Sequence, residues 1–248
     1  SGTYVGWAWD AGTAAATPSD VGSLDPTDQW VNATAGFSIS QYTSTGSSDD
    51  TIGHGLNAKP DLIIIKNIDS GTKSWAVYHS GIGAEKYLKL DTDGAMGDDV
   101  EYWHDTEPTN TVFSIGNWSA VNGTNNDHIV YAWTAIPGYS AFGSYETNSS
   151  TDGPFVYTGF SPRYVLIKNV DTALTPWGIF DTVRSPYNLT DDFMKANENS
   201  GEHTNNGNWK IDVLSNGFKI QSNATGVNGN TQIYAAFAEH PFKTARAR

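Results

Sequence analysis

The octet PDLIIIKN at residues 60–67 is written a second time as PRYVLIKN at residues 162–169, with four of its eight positions identical at an offset of 102 residues. The match runs on in order. Asp69 answers Asp171 and Trp75 answers Trp177 at the same offset. GFSISQY (36–42) resembles GYSAFGSY (138–145), VFSI followed by VNG (112–123) resembles GFKI followed by VNG (217–229), and IVYAWTAIP (129–137) resembles IYAAFAEHP (233–241). A period near 100 residues with only small gaps is the mark of an internal duplication. It divides the chain into residues 36–137 and residues 138–248. In residues 1–35, YVGWAW (4–9) resembles HIVYAW (128–133) and reads as the closing strand of an incomplete preceding repeat.

Ile63-Ile64-Ile65 and Val165-Leu166-Ile167 are β-branched-rich runs bounded by Pro and Asn, as buried strands are. The Asn-Gly and Asp-Gly pairs beginning at Asp93, Asn122, Asp152, Asn206, Asn216 and Asn228 read as hairpin turns. TDDFMKANEN (190–199) is the one segment read as a helix. The fold class is therefore all-β, with tandem antiparallel β-sandwich or jelly-roll-like repeats of about 100 residues packed together. Ile63, Ile65, Val165, Ile167, Trp75 and Trp177 are expected in the core at equivalent places. Lys66 and Lys168 are expected where the strand emerges, paired at the surface with Asp69 and Asp171. Asn67 and Asn169 are expected to turn the chain through left-handed backbone angles.

The formal net charge is −13, and no Lys or Arg precedes Lys59. Such a surface repels nucleic acid and anionic membranes, so neither is an expected partner. Lys243, Arg246 and Arg248 form a short basic tail. The longest aliphatic run, Leu62 to Ile65, is too short to span a bilayer. With no cysteine, stability must come from packing or oligomerisation. A strand at residues 4–9 should pair within the chain or with another subunit, because an open Trp-rich edge invites aggregation.

Six scattered histidines carry no metal-ligand spacing, and no catalytic motif occurs, so no catalytic residue is assigned. YWHDTEP (102–108) sets His104, Asp105 and Glu107 beside Trp103. Paired carboxylates near aromatic rings are what a glycoside hydrolase needs, although such pairs usually come from separate strands. Asp91, Asp93, Asp98 and Asp99 surround a glycine-rich loop that could ligate calcium; the alternative is a polar hairpin. Trp30, Trp103, Trp118 and Trp209 lie in polar surroundings, where rings either stack on sugars or plug the sandwich. The candidate glycan contacts are Trp103, His104, Asp105, Trp118 and Trp209.

GYSAFGSYETNSSTDGPFVYTGFSPRYVLIKN, SPYN, VLSNGFK and IYAAFAEHPFKTARAR resemble a β-repeat family of tail-fibre and other virion proteins of marine phages. The resemblance covers residues 36–248, and it implies a virion-associated, extracellular, non-enzymatic structural or adhesion role. Implied partners are other virion proteins, further copies of the chain in a trimer, and host surface glycans. The competing reading is a carbohydrate-active enzyme or carbohydrate-binding module acting on marine polysaccharide.

Overall fold

The computed structural model describes residues 4–14, 18–204 and 207–239. It is all-β, built as two tandem antiparallel sandwiches packed together. The first contains β2 (Phe37–Thr43), β3 (Asp50–Gly53), β4 (Leu62–Asn67), β5 (Ala76–His79), β6 (Lys86–Lys89), β7 (Gly97–Asp98), α1 (Val100–Trp103), β8 (Val112–Ile115), α2 (Ser119–Asn122) and β9 (Asp127–Trp133), with β1 (Asp28–Asn32) added at its edge. The second contains β10 (Ser140–Glu146), β11 (Phe155–Tyr157), β12 (Pro162–Asn169), β13 (Gly178–Asp181), β14 (Phe193–Lys195), β15 (Ile211–Leu214), β16 (Gly217–Ile220), α3 (Thr225–Asn228) and β17 (Thr231–Ala238). The large sheets run β1-β2-β9-β4-β5-β6-β7 and β10-β17-β12-β13-β14, and the small ones β3-β8 and β11-β16-β15. The order β2-β9-β4-β5-β6 is the order β10-β17-β12-β13-β14, so the two copies share one topology.

The repeated octet forms the middle of each large sheet. Successive side chains on a strand point to opposite faces. Ile63 and Ile65 join the core between the large and small sheets of the first sandwich, with Ile52, Phe113 and Ile115. Val165 and Ile167 do the same in the second, with Val156, Phe218 and Ile220. The alternate residues, Leu62 and Ile64 with Tyr164 and Leu166, enter a third apolar layer between the two large sheets. The molecule is thus a stack of four sheets. An uninterrupted apolar run is needed because neither face of β4 or β12 meets water.

The Lys-Asn ending has a different role from the one expected. Lys168 is fully buried, and its Nζ donates to the carbonyls of Asn169 (2.7 Å) and Thr175 (2.8 Å). Lys66 Nζ donates likewise to the carbonyls of Ser70 and Lys73. Each ammonium satisfies carbonyls of the loop that follows its strand, which is how a buried cation becomes tolerable. Asn67 and Asn169 are the last residues of their strands, without left-handed angles. Their Oδ1 atoms accept from the amides of Asp69 and Ser70, and of Asp171 and Thr172. Their Nδ2 atoms reach Ser119 O (2.9 Å) and Thr225 O (2.8 Å), tying each strand to a one-turn helix. Asp69 and Asp171 are not the lysines' partners. They accept from the first residues of β9 and β17, Asp127 N (2.7 Å) and Thr231 N (2.9 Å).

Four further expectations are corrected. Residues 190–199 are not a helix, since Phe193–Lys195 is edge strand β14, with Phe193 drawn into the second core. Residues 4–9 form no strand; Trp7 and Trp9 instead lie across the inter-sheet layer, edge-on to Tyr164. Asn122-Gly123 and Asn228-Gly229 are helix ends rather than hairpins, and their buried amides hold the loops before β3 and β11. Asn216-Gly217 does close the β15–β16 hairpin, whereas Asn206 and the tail with Lys243, Arg246 and Arg248 lie outside the described residues.

Trp75 and Trp177 are equivalent in backbone pairing. Trp75 N donates to Asp91 Oδ1 (3.1 Å) and Trp177 N to Asn197 Oδ1 (2.9 Å). Their surroundings differ. Trp177 is buried, with Nε1 donating to Lys89 O of the first sandwich, while half-buried Trp75 rests on Tyr131 at the open end of the layer.

His79, at the end of β5, joins the sandwiches: Nδ1 accepts from Gly81 N (3.0 Å), so Nε2 carries the proton donated to Tyr234 O (3.0 Å). Burial lowers its pKa to about 4, against the opposing effect of the Tyr234 carbonyl. The unfolded chain takes up this proton near pH 6.5. Stability from neutral His79 is therefore present above pH 6.5 and lost as pH falls towards 4, by on the order of 3 kcal/mol. Urea midpoints measured from pH 7 to 4 should fall more steeply for the native protein than for His79→Gln; parallel curves would contradict this placement.

Candidate functional site

The surface around α1 collects most of the residues singled out from sequence. Asp99, in extended conformation, caps the helix by accepting from Glu101 N (3.0 Å). His104 ends it at φ 52°, and Asp105 follows at φ 46°. Two consecutive left-handed residues turn the chain sharply away from the helix. Gly116 lies against α1, where a Cβ would sit 2.5 Å from the Glu101 backbone. That approach lets Gly116 N reach Tyr102 O (3.0 Å) and Trp118 N reach Glu101 O (2.9 Å), fixing Trp118 beside α1.

The result is an aromatic column. Tyr87 and Tyr102 stack at 3.6 Å with 6° between planes, and Trp118 lies over Tyr102 at 6.1 Å and 28°. Tyr102 is buried, whereas Trp118 is 41% exposed, so the indole presents an open face on a rigid base. Lys86 pairs with Asp98 at 2.5 Å, and that bond, with the charges of Glu85 and Asp105, raises the lysine's pKa. An open indole held on a rigid base suits the apolar face of a sugar ring.

Not every candidate belongs here. Trp103 is 2% exposed and packs edge-on against Tyr78 in the first core, so its ring faces no solvent. Trp209 belongs to the other sandwich, where it stacks on Phe193 at 4.9 Å. Its indole crosses Gly178 and Gly226, positions that are Ala76 and Ala120 in the first copy. Those two rings are core side chains, as their aromatic area favours.

The four aspartates take separate structural roles. Asp91 accepts from Trp75 N, the Asp93 carbonyl accepts from Thr175 N, Asp98 pairs with Lys86, and Asp99 caps α1. Among the described residues, no three His, Asp or Glu side chains gather as a metal site. Glu107 is equally committed. Partial burial raises its pKa, but Lys59 (2.6 Å), the Tyr78 hydroxyl (2.7 Å) and Ala84 N (2.8 Å) outweigh this and hold it below the ordinary value. A carboxylate so stabilised in its charged form is ill suited to donate a proton. Sequence reasoning missed Tyr87, the base of the column; its place on β6, opposite Gly97, follows only from strand pairing.

The architecture defines a class: an all-β module of two like sandwiches joined through their large sheets. The chain belongs to the family described as Domain of unknown function (DUF7483), whose model matches residues 1–241. No curated protein and no solved structure matches it. Among the described residues, no helix is long and apolar enough to cross a membrane.

The seat of Trp209 gives a direct test. A Cβ on Gly226 would lie 1.8 Å from Trp209 Cζ2. Gly226→Ala should therefore destabilise the fold by about 1–3 kcal/mol through overpacking, read as a lower urea midpoint, while Gly71→Ala, with open space around it, should change little.

Proposed function

We propose that this chain is a non-enzymatic structural and adhesion module of a phage virion that contacts host surface glycans, with the Trp118 face as a sugar platform. The observation that carries the reading is the Tyr87–Tyr102–Trp118 column, which ends in an exposed indole. A sugar–aromatic contact uses a flat ring, and the three-ring stack holds one in place. The four-sheet stack provides a stiff body for such a platform. In this reading the protein acts outside the cell as part of a particle, in several copies and beside other virion proteins.

Affinity electrophoresis through gels containing laminarin, alginate or carrageenan tests it. The native protein should be retarded in at least one gel. Trp118→Ala should migrate freely with its circular dichroism unchanged, and no reducing ends should appear. Release of reducing ends would favour the carbohydrate-active enzyme instead, and retardation unaffected by Trp118→Ala would remove the platform.

A further inference from the structure

The connection between the fourth and fifth shared strands differs in length between the two copies. In the first copy residues 80–85 join β5 to β6; in the second the longer segment 182–192 joins β13 to β14. The longer segment is held firmly. Asn188 pairs both ways with the Val213 backbone (2.9 Å each), Thr190 pairs both ways with Ile211, and Arg184 is tied to Asp181 and Glu202. Between it, the β15 end and the residues flanking β12 and β17 lies a cleft of about 310 Å³.

Its lining is hydroxyl-rich, including Ser161, Thr182, Ser185 and Thr190, with Glu239 at one side and Tyr187 at the rim. Thr190 is 1% exposed, and neither its hydroxyl nor that of Thr182 has a hydrogen-bond partner. Unpaired buried hydroxyls are costly and call for a partner. Tyr187, by contrast, is 84% exposed, an aromatic ring left in water on a pinned loop. Among the described residues, Glu239 is the one charged residue of the lining, an acceptor for ligand hydroxyls that disfavours anions, while Arg163, 3.8 Å from its carboxylate, stands outside the lining.

We propose that this cleft binds a neutral pyranose. Tyr187 stacks on its apolar face, its ring hydroxyls meet the serines and Glu239, and the threonine hydroxyls gain their missing partners at the cleft floor. The volume lies at the lower end of small-molecule sites, enough for a single sugar unit rather than a long chain. The ligand class is the one already proposed for the module, but the site is separate from Trp118 and belongs to the second sandwich alone.

Saturation-transfer NMR tests it with methyl β-D-galactopyranoside, methyl α-D-mannopyranoside, N-acetylglucosamine and, as the anionic control, glucuronate. At least one neutral sugar should receive saturation and glucuronate none. With Trp118→Ala, which removes the other proposed platform, the signal should persist; adding Tyr187→Ala should abolish it, and adding Thr190→Val should weaken it by several-fold. Circular dichroism confirms that each variant is folded, and Tyr187→Phe should retain binding. No transfer to any neutral sugar, transfer surviving the combination of Trp118→Ala and Tyr187→Ala, or loss through Trp118→Ala alone would overturn the proposal. The last outcome would leave the Trp118 platform standing.

Discussion

Leu62, Ile64 and Trp133 from one large sheet share a single apolar layer with Tyr164, Leu166 and Phe237 from the other. Burying an apolar side chain of that size is worth about 1.5–3 kcal/mol. The layer as a whole therefore contributes more than the net stability of an ordinary protein, about 5–15 kcal/mol. Separating the sandwiches would expose it all, so the two repeats are expected to unfold as one cooperative body. The layer also dictates the repeated octet, because a strand between two cores can carry polar groups only at its end.

That end is where both copies keep their polar residues, and both use them internally. Lysine donates hydrogen bonds to loop carbonyls, asparagine ties the strand to a one-turn helix, and aspartate starts the returning strand. The surfaces proposed for binding occur in single copies: the Trp118 column in the first sandwich and the Tyr187 cleft in the second. Shared residues maintain a scaffold, and the unshared ones differentiate its two ends. Such a division fits a protein that presents contacts rather than one that performs the same chemistry twice.

The duplication, the all-β class and the inward set Ile63, Ile65, Val165 and Ile167 were legible because periodicity is local. Trp118 was legible as a ring in polar surroundings. Lys168 was misplaced because a terminal lysine reads as exposed, and its carbonyl partners come from a loop that only the fold brings back. Trp103 and Trp209 were misplaced for a similar reason: polar sequence neighbours hid apolar neighbours in space. Segment 190–199 read as a helix, yet the need to cover the sheet edge with Phe193 prevailed over local propensity. The Tyr187 cleft left one trace, the longer segment after β13 when the copies are aligned.

Native-state hydrogen exchange across a urea series tests most directly whether the inter-sheet layer makes one body of two repeats. The amides of Ile64 in β4 and Leu166 in β12, central in their sheets, should exchange only through global unfolding, with the same opening free energy and the same urea dependence. Distinct opening free energies, with one octet exchanging while the other stays protected, would show that the sandwiches unfold independently and would contradict the account.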